Sequence, residues 1–185
     1  MIYLIIVFAA ISRFIPHMPN AAPVTALAIF AGAYLPKKQA VVIPLAARFI
    51  SDVFLGFFSW PLMAAVYAAH LVGVLFGLWI RRSAGPRPAY EAAQGTVLQQ
   101  GMGRWVRIFV SSLGASAIFF IVTNFAFLYP YYSHSISGIM AAYANGLPFF
   151  RGTLLGDLGY TLALFGSYEI VLYVRTAKRT SPIPA

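Results

Sequence analysis

Arg48 and Asp52 are the residues from which any chemistry in this chain has to be built. They lie inside the run VVIPLAARFISDVFLGFF, Val41–Phe58, whose length is that of a bilayer-crossing helix. Four residues apart on a helix, the two side chains share a face and can pair. The same row takes in Pro44 and Gly56, a narrow polar stripe on an oily cylinder. Charge at that depth is costly and ordinarily faces a bundle interior or a watery cavity. Two readings stay open: a self-neutralising pair that sets helix register, or a binding group on a substrate path.

The other candidates are spread along the chain. Tyr67 lies in a fourth apolar segment and Asn124 near the end of a fifth, on a row with Ser112, Ser116 and Phe120. Asp157 opens the last segment, on a row with Thr161, Phe165 and Glu169. Arg13, His17 and Asn20 fall in a proline-rich link, Arg151 just precedes Asp157, and Trp60 stands at a turn. Most have a bland alternative. Arg13 and Arg151 can snorkel to headgroups, Asn124 can bridge helices, and Asp157 can pair with Arg151 at a helix start. His70 reads better as an interhelical histidine than as a ligand, and His134 as a loop residue.

As catalysts these residues are weak. Asp52 and Asp157 could form an acid and base, but nothing marks a nucleophile. There is no GxxxxGK[ST] loop, no HExxH and no G-x-S-x-G elbow, and three isolated histidines do not make a metal cluster. With no cysteine, thiol catalysis and disulfides are excluded. The expectation is a binding protein rather than an enzyme, with no cofactor and no metal.

The elements that must position these groups follow from composition. The 185 residues are 61% hydrophobic and 9% charged, with mean hydropathy +0.79. Soluble domains carry roughly 25% charged residues, so an all-α polytopic membrane protein is expected, a single bundle over 1–185. The formal charge of +9 does not point to nucleic acid, because the basic residues sit in short clusters between apolar segments. Spans are expected at Ile2–Ile15, Val24–Leu35, Val41–Phe58, Leu62–Ile80, Val106–Leu128 and Gly152–Val174, the first two short or broken. Ile2–Ile15 reads as a retained helix rather than a signal peptide. Pro16, Pro19 and Pro23 enforce an extended link after it. Val24–Leu35 reaches only about 18 Å and reads as a short, partly sheltered helix. Ala65, Ala69, Gly73 and Gly77 form a row that admits a close neighbour. Ser135–Leu147, stopped by Pro148, reads as a separate surface-lying or re-entrant helix. Residues 81–105 form a polar loop, with a short surface helix around Glu91–Gln100, and 175–185 a tail.

Six alternating spans put ten of the thirteen basic residues on one face. The positive-inside rule makes that face, and both termini, cytoplasmic in a bacterial cytoplasmic (cell inner) membrane. A four-span version with residues 1–35 at the surface is the alternative. In the six-span frame Asp52, Tyr67, Asn124 and Asp157 fall at one outer level. Arg13, His17, Asn20 and Arg151 lie near a gate, and Trp60, Tyr131 and Tyr132 at a rim. Arg48 orients Asp52. This suggests an externally facing pocket for a small polar-aromatic ligand.

The segments RFIPHMPN (13–20), PVTALAIFAGAY (23–34), ISDVFLG (50–56) and LPFFRGTLLGDL (147–158) resemble an uncharacterised bacterial membrane family. That family is grouped with the substrate-binding S components of energy-coupling factor (ECF) transporters. The resemblance covers nearly the whole chain. It implies capture of a vitamin or similar micronutrient from outside, and docking onto a transmembrane T component with two ATPase subunits that drive uptake. Characterised S components often dock through an AxxxA face in helix 1. Here helix 1 offers Ala9, Ala10 and Ser12 instead, while Ala65 and Ala69 lie in the fourth segment. The rival expectations are an autonomous secondary transporter with Arg48 and Asp52 as a proton or ion relay, and a structural membrane subunit without a ligand.

Overall fold

In a computed structural model that describes residues 2–12, 14, 21–83 and 97–180, the shortest inner helix is the hub. Helix α2, Val24–Tyr34, is apolar except for Thr25 and Tyr34 near its ends and is buried from Val24 to Ala33, as expected of a helix with no charged face. Around it stand α1 (Ile2–Ser12), α3 (Lys37–Leu55), α4 (Trp60–Ser83), α5 (Val97–Thr123) and α6 (Ile136–Thr180), each in contact with α2. A 3-10 turn, Ala126–Leu128, follows α5. No strand occurs among the described residues.

Pro23, without an N–H to lose, caps the start of α2. The helix stops at Tyr34, because Pro36 holds Leu35 in the extended region. Its packing against α4 is closer than side chains allow. A Cβ on Gly77 would collide with the Ile29 carbonyl and Gly32, one on Gly32 with the Val74 carbonyl, and one on Gly73 would crowd Ala28. The small-residue row of α4 therefore serves backbone-to-backbone packing on α2.

Several boundaries differ from those expected. Helix α3 runs Lys37–Leu55 rather than Val41–Phe58. Pro36 is a helix starter, and Gly56 takes a φ of 99° that only glycine adopts without strain, which ends the helix. Helix α4 contains the expected span and adds Trp60-Pro61 in front. Helix α5 begins at Val97, so residues 97–105 are helix rather than loop, and it ends at Thr123, leaving Asn124 just beyond it. The rest of the loop, residues 84–96, lies outside the described residues.

The largest correction concerns Ser135–Leu147. It is not a separate piece but the first three turns of α6, which runs unbroken through Pro148 for 45 residues. Proline's fixed φ is compatible with a helix, but inside one it removes a hydrogen bond and crowds the carbonyl four residues back, so the helix needs support from outside. Here the chain before it is held by close packing. Gly138 abuts the Ser133 carbonyl and Gly146 abuts Asn124, with no room for a Cβ at either. At 1.5 Å per residue α6 is about 67 Å long, roughly twice the hydrocarbon thickness of a bilayer.

Helix α4, and Met102–Thr123 within α5, are long and apolar enough to cross a membrane. Phe54, Leu75, Val110, Ile121, Leu162 and Ile170 point outward, whereas Arg48, Asp52, His70, Ser112, Ser116, Asp157 and Thr161 are buried. Soluble proteins rarely expose large contiguous apolar patches, and lipid as the outer solvent would favour this arrangement of apolar residues outside and polar groups inside.

Candidate functional site

Two buried polar centres and a half-buried one lie inside this apolar frame. The first is formed by α3 and α4. The Arg48 guanidinium donates through Nε to Asp52 Oδ2 at 2.7 Å, and the Tyr67 hydroxyl donates to the same oxygen at 3.1 Å. The i to i+4 spacing brings the pair together within one helix, and α4 brings the tyrosine. Asp52 is 1% exposed and Arg48 7%. The turn after Gly56 folds Phe58 back, so that its ring lies 5.8 Å from the guanidinium carbon, within cation–π range. Ser51 closes the lower side by donating to the carbonyls of Ala47 and Arg48 at 3.0 and 2.7 Å. A fixed acid, a fixed base and a phenol in an apolar wall are the ingredients of polar ligand recognition.

The second centre joins α2, α5 and α6. Ser116 Oγ lies 2.6 Å from Asp157 Oδ2 and 2.9 Å from the Ser112 carbonyl. Thr25 on α2 faces the Asp157 carboxyl. One turn further, Thr161 Oγ1 donates to Ser112 Oγ at 3.2 Å. All five side chains are buried, Asp157 to 1% exposure.

The third centre lies at the opposite end of α2. Glu169 accepts from Arg104 at 3.2 Å and from the Tyr34 hydroxyl at 3.1 Å, and Arg104 also bonds to Tyr34. Phe30, Phe165 and Tyr168 pack around that tyrosine. Arg81 donates to the Leu35 carbonyl at 2.7 Å, tying down the end of α2. Glu169, left out of the expected pocket, is held from the neighbouring α5. Sequence reading missed this centre because partners 65 residues apart carry no local signal. The one clue was a basic helix start facing an acidic helix end in an antiparallel pair.

Of the residues expected to form one pocket, the structure brings Arg48, Asp52 and Tyr67 within hydrogen-bond distance. Asp157 is in the second centre. Asn124 donates to the Phe120 carbonyl at 2.9 Å, and its side chain fills the space over Gly146. Arg151 is exposed, and Trp60 is 81% exposed at the start of α4. Arg13, His17 and Asn20 lie outside the described residues. His70 is buried between α4 and α5, its ring stacked 5.4 Å from Phe119. Tyr131 and Tyr132 belong to an aromatic cap over the first turns of α6. There Tyr129 donates to the Thr123 carbonyl at 2.6 Å, and Asn145 donates to Tyr132 at 3.0 Å. Burial pushes the Tyr129 phenol above its ordinary value of 10.0, and the neighbouring Tyr131 and Tyr132 add to it. Among the described residues, no three His, Asp or Glu side chains gather in a way that would hold a metal ion.

No curated protein and no solved structure matches this chain. A family model does match residues 1–180, and the chain belongs to that family, DUF6580, a family of unknown function.

Proposed function

We propose that this protein is a multi-pass bundle of six membrane-spanning helices. In this reading it binds a small polar micronutrient from the outer side, and partner subunits drive uptake, in the manner of an ECF S component. The observation that carries the reading is the Arg48–Asp52–Tyr67 centre, a recognition group of acid, base and phenol buried in apolar surroundings. A vitamin or vitamin precursor offers both ring surface and hydrogen-bonding edges to such a group.

Orientation is supported by the contacts at the other end of the helices. Arg81 reaches Leu35, and Arg104 reaches Tyr34 and Glu169. The ends of α2 and α4, the start of α5 and the end of α6 therefore share one face. Lys37, Lys38, Arg82 and Arg107 stand at the same helix ends. By the positive-inside rule that face is cytoplasmic, and with it both termini. Asp52 is 15 residues along α3 from Lys37, about 22 Å further toward the exterior. A T component and two ATPase subunits would engage the cytoplasmic face.

Native mass spectrometry of the detergent-purified chain tests the reading. The expected result is a bound small molecule that is released at least tenfold more readily from Asp52→Asn. A wild-type chain that binds none of a panel of vitamins and precursors, alone or with co-expressed T component and ATPases, overturns it.

A further inference from the structure

The second buried centre has a charge problem that the first does not. Asp157 is as deeply buried as Asp52, but no Arg, Lys or His among the described residues lies within ion-pair distance of it. Each element packed on α6 bears this out. Helix α2 presents Thr25, and its titratable Tyr34 is three turns away with Glu169. Helix α5 presents Ser112 and Ser116. Its Arg104 is about 18 Å along the axis from Ser116 and holds Glu169, and Arg107 is about 13 Å away. Helix α1 has no charged residue. In the cap, Tyr129 and His134 face Thr123 and Phe127. On α6 itself, Arg151 points outward and Glu169 is paired. An ionised carboxylate in apolar surroundings without a counter-charge is strongly disfavoured.

The hydroxyl geometry shows what resolves it. Ser116 has one hydroxyl hydrogen, yet its oxygen sits within bonding distance of two acceptors, the Ser112 carbonyl at 2.9 Å and Asp157 Oδ2 at 2.6 Å. One hydrogen can be shared, as Ser51 shares its own between two carbonyls, but a proton or cation at the carboxyl satisfies both contacts and the buried charge together. A proton on Asp157 lets the carboxyl donate to Ser116 while Ser116 donates to Ser112. Alternatively, a small cation is gripped by the carboxylate and the hydroxyl oxygens. Ser116 lies against the carboxyl and Thr25 faces it, and one turn further Thr161 bonds to Ser112, so that neutral oxygens from three helices are at hand, a donor set suited to a proton or a hard monovalent ion.

We infer that Asp157, with Thr25, Ser112, Ser116 and Thr161, is a binding site for a single monovalent cation, a proton or a sodium ion, that neutralises the carboxyl inside the bundle. The inference rests on the membrane-embedded reading of the bundle, not on its binding a micronutrient. A chain that captures no small molecule still has this site.

The test is the thermal unfolding midpoint of the full chain in lipid nanodiscs. One arm varies pH in sodium-free choline buffer. The other varies sodium at fixed pH, with choline holding ionic strength constant. A ligand that binds only the folded state raises the midpoint, by roughly 3–5 °C per tenfold increase once the site is saturated. Wild type is expected to rise along one axis, falling pH for a proton or rising sodium for the ion, and Asp157→Asn is expected to be flat along that axis. Ser116→Ala, which keeps the carboxyl, is expected to shift the dependence to about tenfold higher cation concentration. Parallel curves for wild type and Asp157→Asn on both axes overturn the inference. Should Asp157→Asn fail to fold, an unshifted Ser116→Ala curve overturns it equally.

Discussion

Arg48 and Tyr67 hold one carboxylate oxygen from two helices, and the two bonds differ in kind. The guanidinium bond at 2.7 Å is charge-assisted, whereas the phenol bond at 3.1 Å is longer and has a neutral donor. Hydrogen bonds to charged groups contribute about 1.5–3 kcal/mol and ordinary ones about 1 kcal/mol. Arg48→Met is therefore expected to destabilise the chain by about 2 kcal/mol and Tyr67→Phe by about 1 kcal/mol, read from denaturant midpoints in mild detergent. The reverse order would mean that Tyr67, not Arg48, fixes the carboxylate. This centre was half legible beforehand. Arg48 and Asp52 are four residues apart, and helical geometry alone pairs them. Tyr67 was expected in the same pocket, but its bond to Asp52 depends on how α3 and α4 are set against each other. The same limit hid the Ser116–Asp157 contact and the Tyr34–Arg104–Glu169 centre, whose members were visible only as separate rows on separate helices.

At the scale of elements, glycine position separates packing from propensity. Gly77 lies where α4 meets α2 with no space for a Cβ, while Gly159 on α6 has nothing within 4 Å of an added Cβ. Gly77→Ala is expected to cost about 1–3 kcal/mol through overpacking. Gly159→Ala is expected to be neutral or to stabilise by up to about 1 kcal/mol, since alanine is the better helix former. Thermal midpoints of the two variants measured side by side check the contrast, and equal effects would refute the close α2–α4 contact. The sequence already contained the four-residue row that ends at Gly77, and the brevity of α2 set by Pro23 and Pro36. It did not contain the continuity of α6. Pro148 is an ordinary stop signal, and what carries the helix through it is the fit of Gly138 and Gly146 against residues of the preceding connection, a tertiary effect.

For the whole molecule, an apolar exterior around an apolar core with a few buried polar groups agrees with the composition, and two helices have the length and apolarity to cross a bilayer. The proposed topology can be checked cleanly because the chain has no native cysteine. In intact cells a membrane-impermeant maleimide is expected to label Ser137→Cys at the start of α6, while Lys38→Cys and Arg82→Cys react only after lysis. The opposite pattern would invert the bundle and remove the outward-facing reading of the Arg48–Asp52–Tyr67 centre. Charge clustering made the expected sidedness readable, because it depends only on where basic residues fall between apolar runs. The meeting of particular polar groups was not readable, since that depends on helix rotation.

The length of α6 has a mechanical corollary. Its first turns carry the aromatic cap, its middle carries Asp157 and its last third carries Glu169, all on one unbroken helix. From Ile136 to Glu169 is about 50 Å along the axis, with no loop in between to absorb a twist. A molecule that tilts the capped tip therefore turns the lever as a whole, and strains the Arg104–Glu169 latch near its other end without any relay of intervening side chains.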